Sequence, residues 1–246
     1  MIHSSVVIED GAKIADDVTI GPFCYISKDV EIENGCQLEA NVVLKGKLKV
    51  GSGVRIFSFT TVGNDDTDIT IGENTHIREF AQIGSQDDNI ESKNIKIGAS
   101  NFIMGYVQIL GGVELGDMCI ISNASILNEN VKCEERVIVS AMTTVEPNNT
   151  LGTGVMVGGA SYVDHDMPPF TLVEGNHASV KGINIVGLRR RLENKSDIED
   201  IKLIFKRILR DTSEGIDKEL AHEIAQTHDN EYVKRFSTFV ANSNMQ

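Results

Sequence analysis

Tryptophan is absent from this 246-residue chain and other aromatic residues are scarce, so aliphatic side chains have to fill its core. No apolar run approaches the ~18 residues that would suggest a membrane span. Positive charge is in deficit: 23 Lys and Arg stand against 36 Asp and Glu, for a net charge of −13. That balance argues against nonspecific binding to nucleic acid or to anionic membranes by the whole surface. There are only four cysteines, with neither metal-ligand spacing nor a disulfide framework, which fits a reducing cytoplasm. The N-terminus has no basic region followed by an apolar stretch, so no signal peptide is expected.

The chain does contain a period of six. Ile8, Ile14, Ile20, Ile26, Ile32, Leu38, Leu44, Val50, Ile56 and Val62 recur every sixth residue. Two residues before each stands a smaller or β-branched partner, among them Val6, Ala12, Val18, Cys24, Val30 and Cys36. Six fits neither a helix at 3.6 nor a plain alternating strand. It fits a short strand with its i−2 and i side chains on one face, followed by a corner and then repeated, which is a β-solenoid. Cys24, Cys36, Cys119 and Cys133 all occupy these inward slots and read as small buried hydrophobes.

The phase slips at Asn64–Asp68 and again at Ser85–Asn94, then holds from Ile97 to Val163, giving 25 hexads with two breaks. With three hexads to a coil, about eight coils at ~4.8 Å make a prism roughly 40 Å long. Each inward aliphatic contributes on the order of 1.5–3 kcal/mol when buried. The expected division is a repeat domain over 1–183, with loops near 64–70 and 85–94, and a helical domain over 184–246. Ser196-Asp197-Ile198-Glu199 reads as a capping box, with further helices near Ile216–Ala225 and Asn230–Ala241. The helical region is expected to close or flank the C-terminal end of the prism, as a solenoid requires.

The hexads resemble those of the left-handed parallel β-helix acyltransferases. The segment Met156-Val-Gly-Gly-Ala-Ser, Asp166-Met-Pro-Pro-Phe, Glu174-Gly-Asn-His-Ala and Gly182-Ile-Asn-Ile-Val-Gly-Leu-Arg-Arg-Arg narrows the likeness, with Ile20-Gly-Pro-Phe and Ile77-Arg-Glu in support. Together they are similar to the bacterial acyl-ACP:UDP-N-acetylglucosamine O-acyltransferases, which perform the first step of lipid A synthesis. The resemblance implies a left-handed β-helix with a C-terminal helical domain. It also implies a homotrimer with sites between subunits, acyl carrier protein as donor and partner, a UDP-sugar acceptor, and neither cofactor nor metal. A histidine general base in that family takes the proton from the sugar 3-hydroxyl, a contribution of typically ~10²–10⁴-fold.

The family's catalytic pattern has changed in this chain. Over Asn101-Phe-Ile-Met-Gly-Tyr-Val-Gln-Ile-Leu-Gly-Gly, Gln108 replaces the first histidine, Gly111 the catalytic one and Gly112 its aspartate. Asn130 and Glu146 replace two more histidines, and Glu146 is the nearest alternative titratable group. Binding positions match better: Asp68 for the sugar, His177 near the acyl region, and Asn184, Arg190 and Arg191 for the nucleotide. Val186 stands where many members have Glu, and the lysine-bearing loop after Asp68 is shorter. Gly159 matches a position that helps set acyl length and leaves room for a longer chain. Arg189–Arg191, Lys181 and Lys202, Lys206, Arg207 and Arg210 form a basic cluster suited to phosphate or to acidic acyl carrier protein.

Two functions stay open. One is acyl transfer to a nucleotide sugar, onto an amine rather than a hydroxyl, because an amine needs less help from a base. The other is a catalytically inactive paralogue that keeps the trimeric fold and some ligand or partner binding. A γ-class carbonic anhydrase on the same prism would need three converging histidines, and the hexads offer only His76 and His165. His76 reads as a solvated outward strand residue.

Overall fold

The computed structural model describes residues 1–84, 94–210 and 215–245. Strands of two to four residues follow the hexads from Val7–Ile8 to Tyr162–Val163 and wind into three parallel sheets. Among the described residues, sheet I has nine strands, from Val7–Ile8 to Tyr162–Val163. Sheet II has eight, from Lys13–Ile14 to Thr150–Leu151. Sheet III has ten, beginning at Thr19–Ile20.

Paired residues lie 18 apart, three hexads to a coil: Val7 faces Tyr25 and Ile103 faces Ile121. The separation lengthens to 21 at Thr61 and Gln82 and to 26 at Gln82 and Gln108, where the two breaks are absorbed. The first break is narrower than the sequence suggests. Asn64–Thr67 forms the outward turn, and Asp68 already belongs to the strand Asp68–Ile71. Of the second, 85–93 lies outside the described residues, and Asn94 opens the strand Asn94–Ile97.

Inward aliphatics from Ile20 to Val163 are buried almost completely in one continuous core. The first coil is the exception. Ile8 is 38% exposed because no coil stacks beneath it. The i−2 slots do more than fill space. Cys24 Sγ–H donates to the Glu39 carbonyl at 2.9 Å, and Cys119 to that of Glu134 at 3.1 Å. Thr60, Thr75, Ser125 and Thr143 make the same bond to the next corner. A small side chain with a donor therefore satisfies a carbonyl that the sharp corner would orphan. Burial pushes the Cys119 thiol up to about 12 and raises Cys133 well above the ordinary value, so both are structural.

After Asp166, Met167 joins the prism core and Phe170 a second one. Thr171–Glu174 adds a parallel strand to sheet III, and Ser179–Ile183 returns antiparallel to it. Among the described residues four α-helices follow: α1 (Ile185–Arg191), α2 (Lys195–Phe205), α3 (Lys218–Thr227) and α4 (Glu231–Asn242). Their core gathers Leu188, Ile201, Phe205 and Phe236 around Phe170. Helix α1 is a turn that sequence periodicity did not reveal. The cap of α2 is Asn194, whose side chain accepts from Ser196 N, rather than Ser196 itself. Among the described residues, no helix is long and apolar enough to cross a membrane.

Ile103 is fully buried mid-prism. Ile103→Ala is expected to cost about 2–5 kcal/mol, read from chemical denaturation. A cost near zero would mean that the core is not continuous there.

Candidate functional site

The corner between sheets I and II carries most of the altered positions. Gly112 N donates to Asn94 O, Asn130 N to Gly111 O and Asn148 N to Glu129 O, so these residues stand in a column one coil apart. Asp68 is directly opposite Asn94 at its lower end. Beside the column, Gly112, Asn130, Asn148, Lys96, Glu114 and Lys132 line a polar groove of about 540 Å³. Asn130 Nδ2 donates to Asn148 Oδ1 at 3.1 Å, and Asp68 is ion-paired to Lys47. Gln108 points outward from sheet I, between Gln82 and Ile126. The column thus offers amides, two glycines, one aspartate and one glutamate, and among its described residues no imidazole.

A titratable group stands higher on the same edge. The Glu146 carboxylate lies beside the Tyr162 phenol, whose pKa is raised by burial and then by that charge. Asp164 accepts from two histidines, His177 Nδ1 at 2.5 Å and His165 Nδ1 at 2.8 Å. His177 packs edge-on to Tyr162, with centroids 5.5 Å apart. Tyr162 is three strands along sheet I from Gln108, about 14 Å at ~4.8 Å per strand. Glu146 and His177 therefore stand away from Gly111, the position at which the resemblance expects the family's base. Gly159 sits at the corner of sheets III and I, and a Cβ there would meet Ala141 O at 3.4 Å, ordinary contact.

Asn184 and the arginines lie apart from the column, at the corner of sheets II and III. Asn184 is buried and caps α1, accepting from Gly187 N at 2.9 Å and donating to Gly154 O at 3.1 Å. Arg191 fills a socket. Gly154 has φ +64, a Cβ there would collide with the guanidinium, and Arg191 Nη2 donates to Arg136 O at 3.1 Å. Burial first, and neighbouring Arg136 second, lower the Arg191 pKa. Arg190 is exposed on α1. Within one chain, then, the column and the α1 arginines stand on different corners of the prism.

His76 differs from the sequence expectation. It is half-buried on the outer face of sheet III, tilted against Phe102 at 6.1 Å. Burial, then Arg55 and Arg78, lower its pKa. Sequence inspection also missed a stack at the corner of sheets III and I, where Phe59, Phe80 and Tyr106 lie nearly parallel at 5.2 and 5.0 Å. The signal was there: their separations of 21 and 26 are the lengthened coil repeats. Among the described residues, no three His, Cys, Asp or Glu side chains converge as a metal site.

Hydrogen bonds from His177 first, and from His165, hold the Asp164 carboxyl below the usual carboxylate range. A lowered carboxyl pKa stabilises the fold above the unfolded-state value, and that stability is lost as pH falls through the folded value. Asp164→Asn should therefore lower the thermal midpoint at pH 7, with the deficit shrinking as pH drops toward 3. An equal deficit at both pH values would contradict this coupling.

The family model described as UDP N-acetylglucosamine O-acyltransferase, domain 2, matches residues 166–245. The acyl-[acyl-carrier-protein]–UDP-N-acetylglucosamine O-acyltransferase of Aliarcobacter butzleri is 36% identical over 251 aligned positions, covering 98% of this chain and 95% of that one. The solved UDP-N-acetylglucosamine acyltransferase of Campylobacter jejuni is 30% identical, with a TM-score of 0.83 over 99% of this chain and 97% of that one. A second solved UDP-N-acetylglucosamine acyltransferase superposes with a TM-score of 0.91 at 29% identity, covering 99% of this chain and 96% of its own. The solenoid is the left-handed β-helix of these enzymes, followed by their C-terminal helices. This chain belongs to the acyl-ACP:UDP-N-acetylglucosamine O-acyltransferase family.

Proposed function

We propose that the protein transfers an acyl chain from acyl carrier protein to a UDP-N-acetylglucosamine-type nucleotide sugar in lipid A synthesis, with an amine as its preferred acceptor. The observation that carries this reading is the column Asp68–Gly111–Asn130, which keeps a carboxylate on the sugar side but presents glycine and an amide where the family's imidazoles would stand. A hydroxyl near neutral pH needs a base to become nucleophilic, whereas a neutral amine attacks a thioester with its own lone pair. Acyl carrier protein brings the acyl group, so the reaction calls for no cofactor. Arg189, Arg190, Lys206 and Arg207 are exposed on or beside α1 and α2, and they give the acidic carrier a docking surface on an otherwise acidic protein.

The reading includes a homotrimer, and the distribution of charge supports it. Sheet II presents alternating charges paired from coil to coil, as in Lys13–Glu31, Lys49–Glu33 and Lys96–Glu114. Sheet I presents no charged residue at its outward strand positions, from Val7 and Tyr25 to Thr144 and Tyr162. Sheet III has no outward carboxylate on its parallel strands before Glu174, and ends in Phe102, Ile120, Ile138, Met156 and Leu172. The edge where these two sheets meet bears exposed Phe23, Phe59, Phe80, Tyr106 and Met142. Placed on a threefold axis, that edge buries its aromatic stack, and sheet II is left facing water. Sheet I of one copy and sheet III of the next then form the walls of a cleft. The column at the I/II corner and the α1 arginines at the II/III corner, separate in one chain, meet across that cleft.

The test is acyl transfer from acyl-ACP, measured side by side with UDP-N-acetylglucosamine and its 3-amino analogue. The expected result is transfer to the amine at least ~10²-fold faster than to the hydroxyl, the contribution of a missing base. Background rates with both acceptors would favour an inactive paralogue. Calorimetric binding of UDP-N-acetylglucosamine without turnover would then point to a binding role.

A further inference from the structure

The column at Gly111 has lost its proton acceptor, and even an amine must shed a proton once it has attacked. Among the described residues, His76 is the one histidine on the flat outer face of any of the three sheets. Its strand pairs with those of Arg55 and Phe102, so the imidazole stands mid-prism on sheet III. The ring leans on Phe102, and neither ring nitrogen hydrogen-bonds to a described side chain or carbonyl. Arg78, just past the strand His76–Ile77, is already held in a bidentate pair with Glu79 and lies over the Phe57 ring. The result is a half-buried imidazole with free nitrogens, fixed by packing and not by a partner.

Height along the prism links this ring to Gly111. Phe102 and Gln108 are successive strands of one coil, and Gly111 follows in the same coil. His76 is paired with Phe102, one coil toward the N-terminus. A rotation about an axis parallel to the prism leaves heights unchanged. Across the proposed cleft, His76 of a neighbouring copy therefore stands about 4.8 Å below the level of Gly111, a single strand spacing. In its own chain the same ring faces away from Gly111, on another sheet.

We infer that His76 of one copy is the proton acceptor for acyl transfer at the Gly111 column of the next. The inference rests on the transferase reading and on the trimer. The acceptor amine nitrogen bonds to the thioester carbonyl carbon with its own lone pair, and the ammonium so formed releases a proton to a free ring nitrogen of His76. The carbon–sulfur bond breaks, and the departing thiolate takes the proton back from the imidazolium. Burial and the two arginines that face the ring, Arg55 and Arg78, with Glu79 bound to the latter, keep it neutral at neutral pH, which is the form a base requires.

The test mixes two disabled variants. His76→Ala removes the acceptor, and Gly111→Trp blocks the column. Each homotrimer is expected to lose ~10²-fold or more in transfer rate. Co-refolded mixtures are expected to recover about a quarter of the wild-type rate, because three-quarters of random trimers are mixed and each holds one intact site of three. No recovery, or full activity of His76→Ala, would overturn the inference. Wild-type kcat/KM should fall with decreasing pH through an ionisation below the ordinary histidine range, and His76→Ala should lack that limb. Failure of the wild type to transfer to either acceptor would instead sink the transferase reading. In that case the His76 imidazole resonance, titrated with UDP-N-acetylglucosamine, still reports its position: a shift supports placement in the cleft, and no shift overturns it.

Discussion

Stacking of identical coils is the constraint on which everything else in this molecule depends. The N–H of each outward strand residue donates to the coil above, as Val7 N does to Cys24 O and Phe102 N to Cys119 O, while inward ones such as Ile20 and Leu48 donate to the coil below. Each inward aliphatic then lands on its equivalent 18 residues on. A single-residue slip would turn a whole strand inside out. The two insertions are tolerated because each is expelled at one corner and the register resumes beyond it.

That constraint also sorts side chains into columns. A residue's position within its hexad decides its sheet or corner, and its coil decides its height. Thus sheet II acquires a ladder of opposite charges, the III/I corner a stack of rings, and the I/II corner a run of amides. The rings occupy left-handed backbone at φ near +60, a conformation that glycine or asparagine adopts more readily. Phe59, Phe80 and Tyr106 accept it because the corner geometry is imposed by the coils on either side. Framework and chemistry are independent here: Ile103, Ile109 and Leu115 are buried without a gap in the core, while Gln108, Gly111 and Gly112 between them depart from the pattern the resemblance leads one to expect.

Much of the fold was legible because the period of six is a strict covalent repeat. The inward slots from Ile8 to Val163 correspond one to one with strands, and the breaks fell where the register lengthens. The ends were harder to read. Ile8 fits the pattern but lies open to solvent, since no coil stacks below it. Helix α1 has one buried residue, Leu188, too few for a periodic signal, and its place is set by Asn184 and Arg191 against Gly154. The candidate site was legible as positions and not as contacts. Nothing local in the sequence tells that Asp164 joins His165 and His177, that Arg191 plugs a glycine socket, or that Tyr106 stacks on Phe80. The ring stack depends on counting coils through an insertion, and the other two contacts depend on how the chain folds back after the last hexad. The resemblance placed Asp68 and the arginines in sites between subunits, and one chain holds them on separate corners.

The central claim is that sheets I and III are the walls between copies and sheet II is the outer skin. The mass of the purified protein in solution, by light scattering behind size exclusion, tests this most directly. The account predicts three times 26.9 kDa, about 81 kDa, collapsing toward a single chain when Tyr106 is replaced by Glu at the axial edge and unchanged when Glu114 on sheet II is replaced by Lys. A wild-type mass of a single chain would contradict it.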